Sequence, residues 1–176
     1  MKAIIKRLTL VYITILSCAC SSKLEGIYNK QESQIDTYVA KYESTNRIVR
    51  NGVANRIVMK EGEGEELSNK GYVSFYYAAY TFTGSSNNNL LTTNHQETAE
   101  QAGWNLTDAE YELYEIHFGS AELLDGLRDG LAGVKAGEEC EILFSGKHAF
   151  GNSPFGIIPA NSAMLYKIWV IGVSNE

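Results

Sequence analysis

Few side chains in this 176-residue sequence are equipped for covalent or metal chemistry, and their spacing argues against both. The histidines are His95, His117 and His148. They do not cluster at metal-ligand spacing, so no metal site is expected; His117 and His148 read as surface or structural residues. Cys140 lies in the run Cys140-Glu141-Ile142-Leu143-Phe144, whose alternation puts it on the apolar face of a strand as a packed, inert thiol. The other two cysteines, Cys18 and Cys20, lie close to the N-terminus, and the count excludes a disulfide framework.

Those two thiols do have chemistry available. The chain opens Met1-Lys2-Ala3-Ile4-Ile5-Lys6-Arg7, runs apolar from Leu8 to Leu16, and continues Ser17-Cys18-Ala19-Cys20. A basic start, an apolar run of roughly ten residues and a small-residue site are the three parts of a secretory signal. The run is too short to span a bilayer, which takes about twenty apolar residues. A cysteine just after it resembles the lipobox of bacterial lipoproteins. Cys20 is the preferred lipidation residue, with Cys18 as the alternative. That resemblance implies a signal peptide over 1–19 and a cell-envelope lipoprotein, periplasmic or outer-membrane. Its membrane anchor would be a set of acyl chains, each buried CH₂ adding about 0.8 kcal/mol. Loss of Lys2, Lys6 and Arg7 would leave 12 basic against 21 acidic residues, taking the formal charge from −6 to −9. Nucleic acid rewards Lys and Arg, so no nucleic-acid partner is expected. A mature length of about 155 residues suits one domain behind a leader.

The elements that must carry any site begin in that leader, residues 20–50. Ile35, Tyr38, Val39 and Tyr42 fall on one face of a short helix, read as a docked spacer from the membrane. A domain over 51–176 follows. Asn51-Gly52 is a hairpin signal between Arg47-Ile48-Val49 and Arg56-Ile57-Val58-Met59. Tyr72 to Phe82 is rich in aromatic and β-branched residues, with Val73, Phe75 and Tyr77 on one face. Residues 84–110 read as an insertion: an exposed Gly-Ser-Asn loop, a short helix near Gln96–Ala102 and a cap or turn at Thr107–Glu110. Tyr114, Ile116 and Phe118 alternate on another strand. Leu124, Leu127, Leu131 and Val134 then step by threes and fours, laying a helix stripe on the sheet. Strands over 139–144 and 163–173 close the chain. The fold class is α+β, an antiparallel sheet curling around one short helix.

At this point the C-terminal half becomes recognisable. Leu124-Asp125-Gly126-Leu127-Arg128-Asp129-Gly130-Leu131 through Glu138 resembles the helix and turn of FK506-binding-protein (FKBP)-type peptidyl-prolyl isomerases. Ala149-Phe150-Gly151 and Gly156-Ile157-Ile158-Pro159 through Tyr166 are similar to the family's closing loop and last strand. Val73-Ser74-Phe75-Tyr76-Tyr77 is similar to the strand bearing its first pocket tyrosine. The resemblance covers roughly residues 56–173.

It implies a curved FKBP-like sheet around one helix, no cofactor, and proline-containing polypeptides as partners. Carried over position by position, Tyr77, Leu124, Phe150 and Tyr166 take the catalytic places, with the Leu124 amide receiving a substrate carbonyl. Leu91, Tyr114, Leu123, Leu127 and Ile158 complete the substrate-binding wall. Three positions depart from the family: Leu127 stands for a floor tryptophan, Phe150 for a hydroxyl-bearing tyrosine, and Leu91-Thr92 for a Phe-Asp pair. One residue is also missing between Gly151 and Gly156. The implied activity is exported prolyl isomerisation in aid of folding. An isomerase-like chaperone that has lost catalysis is the second reading, and a surface protein displaying the 84–110 loop to a ligand is the third.

Overall fold

The computed structural model of the chain describes residues 23–84, 89–105 and 107–175. The expected signal peptide over 1–19, with Cys18 and Cys20, lies outside the described residues.

The first described element is helix α1, residues 23–39. Seven strands follow: β1 (Arg47–Asn51), β2 (Ala54–Lys60), β3 (Tyr72–Thr81), β4 (Asn89–Thr93), β5 (Tyr114–His117), β6 (Glu139–Phe144) and β7 (Met164–Ser174). Helix α2 (Gln96–Gln101) sits between β4 and β5, and helix α3 (Asp125–Leu131) between β5 and β6. All pairings are antiparallel, in the order β1-β2-β6-β7-β3-β4, with β5 also on β3. The result is one antiparallel sheet with α3 packed on its face, the α+β architecture the sequence implied.

Local chemistry explains the connections. Asn51 pairs with Ala54 across a two-residue turn in which Gly52 has φ +53°, a conformation that costs glycine nothing. The Asp129 carboxylate of α3 accepts from the Val53 amide at 2.8 Å, tying the hairpin to the helix. α3 lies very close to β6. A Cβ on Gly126 would sit 2.1 Å from the Phe144 ring, and one on Gly130 2.1 Å from Ile142 Cγ2. Only glycines at these positions let Leu127, Leu131 and Val134 reach the core, where all three are buried. Behind α3, buried Arg56 donates to the carbonyls of Gly130 (2.8 Å) and Ala132 (2.9 Å) and lies 3.2 Å from the Glu138 carboxylate. Burial raises the Glu138 pKa, and Arg56 opposes that shift.

The leader helix docks on the opposite face of the sheet. Ile35, Tyr38 and Val39 are buried against Ile57, Phe82, Leu143 and Leu165, so β6 is covered on both sides. Cys140, Ile142 and Phe144 join the core under α3, whereas Glu141 receives the Tyr38 hydroxyl at 2.9 Å on the α1 side. Cys140 is buried as expected, and desolvation drives its thiol pKa upward.

The stretch expected to be an exposed insertion contains a strand. β4 lies on the same edge of β3 as β5: β4 pairs with Ala78–Thr81 and β5 with Tyr72–Phe75. The segment between them, including α2, is an excursion from one interrupted edge. Its descent ends in a 3-10 turn, Asp108–Tyr111, where the Glu110 carboxylate accepts from the Thr107 amide at 2.8 Å.

Candidate functional site

A cavity of about 300 Å³ opens between β3, β7, the start of α3 and the loop joining β6 to β7. Eight of the nine pocket positions proposed from sequence line it: Tyr77, Leu91, Tyr114, Leu123, Leu127, Phe150, Ile158 and Tyr166. Leu124 does not. It caps the N-terminus of α3 and half-buries its side chain against the core. Its amide has no hydrogen-bond partner among the described residues. Phe75, Ala79, Thr92, Phe155 and Met164 also line the cavity and were not among the nine positions proposed from sequence.

Each wall has a structural cause. Tyr77 and Tyr166 lie on neighbouring strands, with Tyr77 opposite Ile168 and Ala79 opposite Tyr166 in register, and their ring centroids are 6.5 Å apart. Phe75 and Tyr114 meet edge-to-face at 5.4 Å, and Tyr77 and Tyr114 at 6.1 Å, geometries that suit the ring quadrupole. Tyr77 is pinned through its backbone: its amide donates to Asn94 Oδ1 at 2.6 Å and its carbonyl accepts from Thr93 Oγ1 at 2.7 Å. The interrupted edge of β3 therefore holds the wall in place. Leu127, 8% exposed, also lines the cavity.

The far wall is the β6–β7 loop. A 3-10 turn, Gly146–His148, leads to Phe150. Phe155 and Ile158 form a tight hairpin, exchanging amide–carbonyl bonds of 3.0 and 2.9 Å around Gly156 at φ +55°. The Phe155 ring stacks on Phe150.

Among the described residues, no charged side chain lines the cavity. Burial, reinforced by the Tyr77 hydroxyl, pushes the Tyr166 phenol up to about 12, so it is neutral and a potential donor at any physiological pH. The hydroxyls of Tyr77, Tyr114 and Tyr166 have no hydrogen-bond partner among the described residues. Such a site can desolvate and clasp a small apolar ring and offer hydroxyl or amide donors to a carbonyl; none of its described lining residues is a carboxylate, histidine or cysteine.

A larger cavity, about 490 Å³, lies on the other face of β3, lined by Tyr76, His95, Trp169, Glu97 and neighbours. There His95 stacks on Trp169 at 3.8 Å, and burial lowers its pKa. It is more polar and acid-rimmed, and shares no lining residue with the ring-lined cavity.

Residues 77–171, more than half of the chain, match the model of the FKBP-type peptidyl-prolyl cis-trans isomerase family. The chain belongs to that family. FK506-binding protein 1A of Neurospora crassa is 34% identical over 72 residues, covering 39% of this chain and 60% of that protein. The chain thus matches less than two thirds of the length of this curated relative. Among solved structures, FkpA from Escherichia coli superposes with a TM-score of 0.57 at 16% identity, covering 97% of this chain and 71% of that one. A peptidyl-prolyl cis-trans isomerase from Pseudomonas syringae pv. tomato gives 0.59 at 12% identity, covering 85% and 95%. At these identities the FKBP structures share the fold with this chain. The FKBP match begins at Tyr77 and includes every other cavity-lining residue except Phe75.

Proposed function

We propose that the chain is an exported, membrane-tethered peptidyl-prolyl cis-trans isomerase that assists the folding of proline-containing polypeptides. The observation that carries this reading is the uncharged, ring-lined cavity of about 300 Å³ inside the family-matched segment. Its size and apolarity suit a prolyl ring.

An X–Pro amide owes its barrier of roughly 18–20 kcal/mol to resonance, which stabilises the planar form and places negative charge on oxygen. Twisting about the C–N bond removes that charge separation. A cavity without charges solvates the planar, polar amide worse than water does, and so favours the twisted state relative to water. The rings of Tyr77, Phe150 and Tyr166 would hold the prolyl ring over Leu127, while the free Leu124 amide receives the carbonyl of the residue before it. Uncatalysed exchange takes tens to hundreds of seconds, slow enough to limit folding. The direct test is refolding of a client whose slow phase is a prolyl isomerisation. The reading predicts that the slow phase accelerates in proportion to added protein; an unchanged slow phase would refute it.

Export and anchoring rest on the N-terminal sequence. Cys20, or Cys18 in its place, takes the acyl chains, and the domain works at the cell envelope. Labelled fatty acid should enter the wild type and be lost with one of Cys20→Ser or Cys18→Ser. Incorporation unaffected by both would remove the anchor from the proposal.

A second reading, a polypeptide-binding chaperone without catalysis, is favoured by Phe155 and Ile157, which are 62% and 77% exposed at the cavity rim and beside it, and by the lack of a hydroxyl on Phe150. It predicts suppression of client aggregation with no change in isomerisation rate.

A further inference from the structure

We propose that Gln31 of the leader helix is a positioning residue for the cavity: it holds both ends of the β6–β7 loop that supplies Phe150, Phe155 and Ile158. This rests on the isomerase or polypeptide-binding reading of the cavity and extends it to a part of the chain outside the family-matched segment.

One amide side chain contacts both ends of the loop. Gln31 Oε1 accepts from the Gly146 amide at 2.9 Å, and Gln31 Nε2 donates to the Asn161 carbonyl at 2.5 Å. Both bonds require the same orientation of the amide, so a single rotamer satisfies both. Tyr28, one helical turn earlier, donates its hydroxyl to Asn161 Oδ1 at 2.7 Å. Gly146 lies two residues past the end of β6 and Asn161 three before the start of β7. The two touch: a Cβ on Gly146 would lie 2.5 Å from the Asn161 carbonyl carbon.

Asn161 is in a conformation that needs holding. It is the one non-glycine among the described residues with positive φ, at +61°. Asparagine tolerates the left-handed region better than most residues, but the conformation is still sparsely populated and persists where the surroundings fix it. Its own amide donates to the Gly151 carbonyl at 2.7 Å, closing the segment that contains the Phe155–Ile158 hairpin. Helix contacts thus fix one residue near each end of the loop. Phe150, Phe155 and Ile158 line the cavity, and Gln31 does not. Gln31 therefore acts on substrate only through the loop it positions.

α1 is separately secured by Ile35, Tyr38 and Val39 in the apolar cluster one to two turns further on. Loss of the Gln31 bonds should therefore loosen the loop without undocking the helix. The experiment uses the full-length protein with three variants: Gln31→Ala, Gln31→Glu and, as a control on the same helix away from the loop, Gln34→Ala. Amide hydrogen exchange is read at Gly146, Gly151 and Asn161 and at buried β6 and β7 amides. Affinity for a short X–Pro peptide is measured in parallel. Gln31→Ala should speed exchange at the loop amides about tenfold, leave the β6 and β7 amides and Tm unchanged, and weaken peptide binding several-fold. In an active enzyme that weakening raises KM with kcat little altered. Gln31→Glu keeps the acceptor for Gly146 but loses the donor to Asn161, so it should protect the first end of the loop and release the second. Unchanged loop exchange in Gln31→Ala would overturn the proposal. So would acceleration spread evenly over α1, β6 and β7, which is the signature of simple undocking. If the wild type neither binds nor isomerises X–Pro peptides, the function of the cavity falls, while the exchange pattern still decides whether Gln31 sets the loop.

Discussion

The Phe150 ring lies flat on the Phe155 ring, centroids 4.7 Å apart and planes 7° from parallel. Phe155 is 62% exposed and lines the cavity. The stack extends the cavity wall outward by one ring. Truncation by Phe155→Ala should weaken X–Pro peptide binding by about three- to tenfold, the equivalent of an aromatic pair worth roughly 0.5–1.5 kcal/mol. Tm should hardly change, because little buried area is lost. Titration of a peptide by fluorescence or NMR, beside a melting curve, reads both.

Phe150 supplies a ring where most of the family supplies a ring and a donor. Phe150→Tyr should raise kcat/KM by about three- to tenfold, the value of one added hydrogen bond of roughly 0.5–1.5 kcal/mol. The gain should appear mainly in kcat if the hydroxyl meets the twisted amide better than the planar one. Line-shape or exchange measurements at several peptide concentrations separate the two.

Tyr166 gives a pH signature. Its phenol is pushed up to about 12 by burial, whereas in the unfolded chain it titrates near 10. The unfolded state therefore releases this proton first. The stability associated with neutral, buried Tyr166 is complete below pH 10 and is lost as pH rises through about 12, by about 3 kcal/mol in all. Tyr38 and Tyr80, both raised chiefly by burial, shift the balance in the same direction. Urea unfolding between pH 8 and about 11 should show this fall, and Tyr166→Phe should make it shallower.

Two glycines set how closely α3 approaches the sheet. Ordinarily, glycine to alanine inside a helix stabilises by about 1 kcal/mol. At Gly126 the new Cβ meets the Phe144 ring and at Gly130 it meets Ile142, so each alanine should instead destabilise by about 1–3 kcal/mol through overpacking. Leu127 lies between them and lines the cavity, and peptide affinity should fall along with the denaturation midpoint.

The parts of the fold that could be read from sequence are those where local signals agree with tertiary demand. Asn51-Gly52 made its hairpin, and the helix stripe Leu127-Leu131-Val134 packed as its spacing required. Ile35, Tyr38 and Val39 did bury one helix face. β4 was missed because Asn89-Leu90-Leu91-Thr92-Thr93 has no clean alternation and follows an asparagine-rich run. It is a strand because it completes the exposed edge of β3, a long-range pairing that no local window contains. Phe155 and Met164 escaped notice for a related reason. Phe155 sits in a glycine- and proline-containing loop and reaches the cavity only because its hairpin folds back onto Phe150. Leu124 is off the cavity because the N-cap geometry turns its side chain towards the core. Nothing in the sequence pointed to Gln31: a glutamine on the polar face of a helix looks like any solvated residue until the helix docks beside the loop ends.

The central claim is that the ring-lined cavity catalyses prolyl isomerisation, and exchange NMR on short X–Pro peptides with added full-length protein tests it most directly. The account predicts cis–trans exchange cross-peaks that grow with protein concentration and disappear when Tyr166→Ala and Leu127→Arg disrupt the cavity. Exchange at the uncatalysed rate, despite saturable binding of the same peptides, would contradict it and leave a polypeptide-binding protein on an isomerase fold.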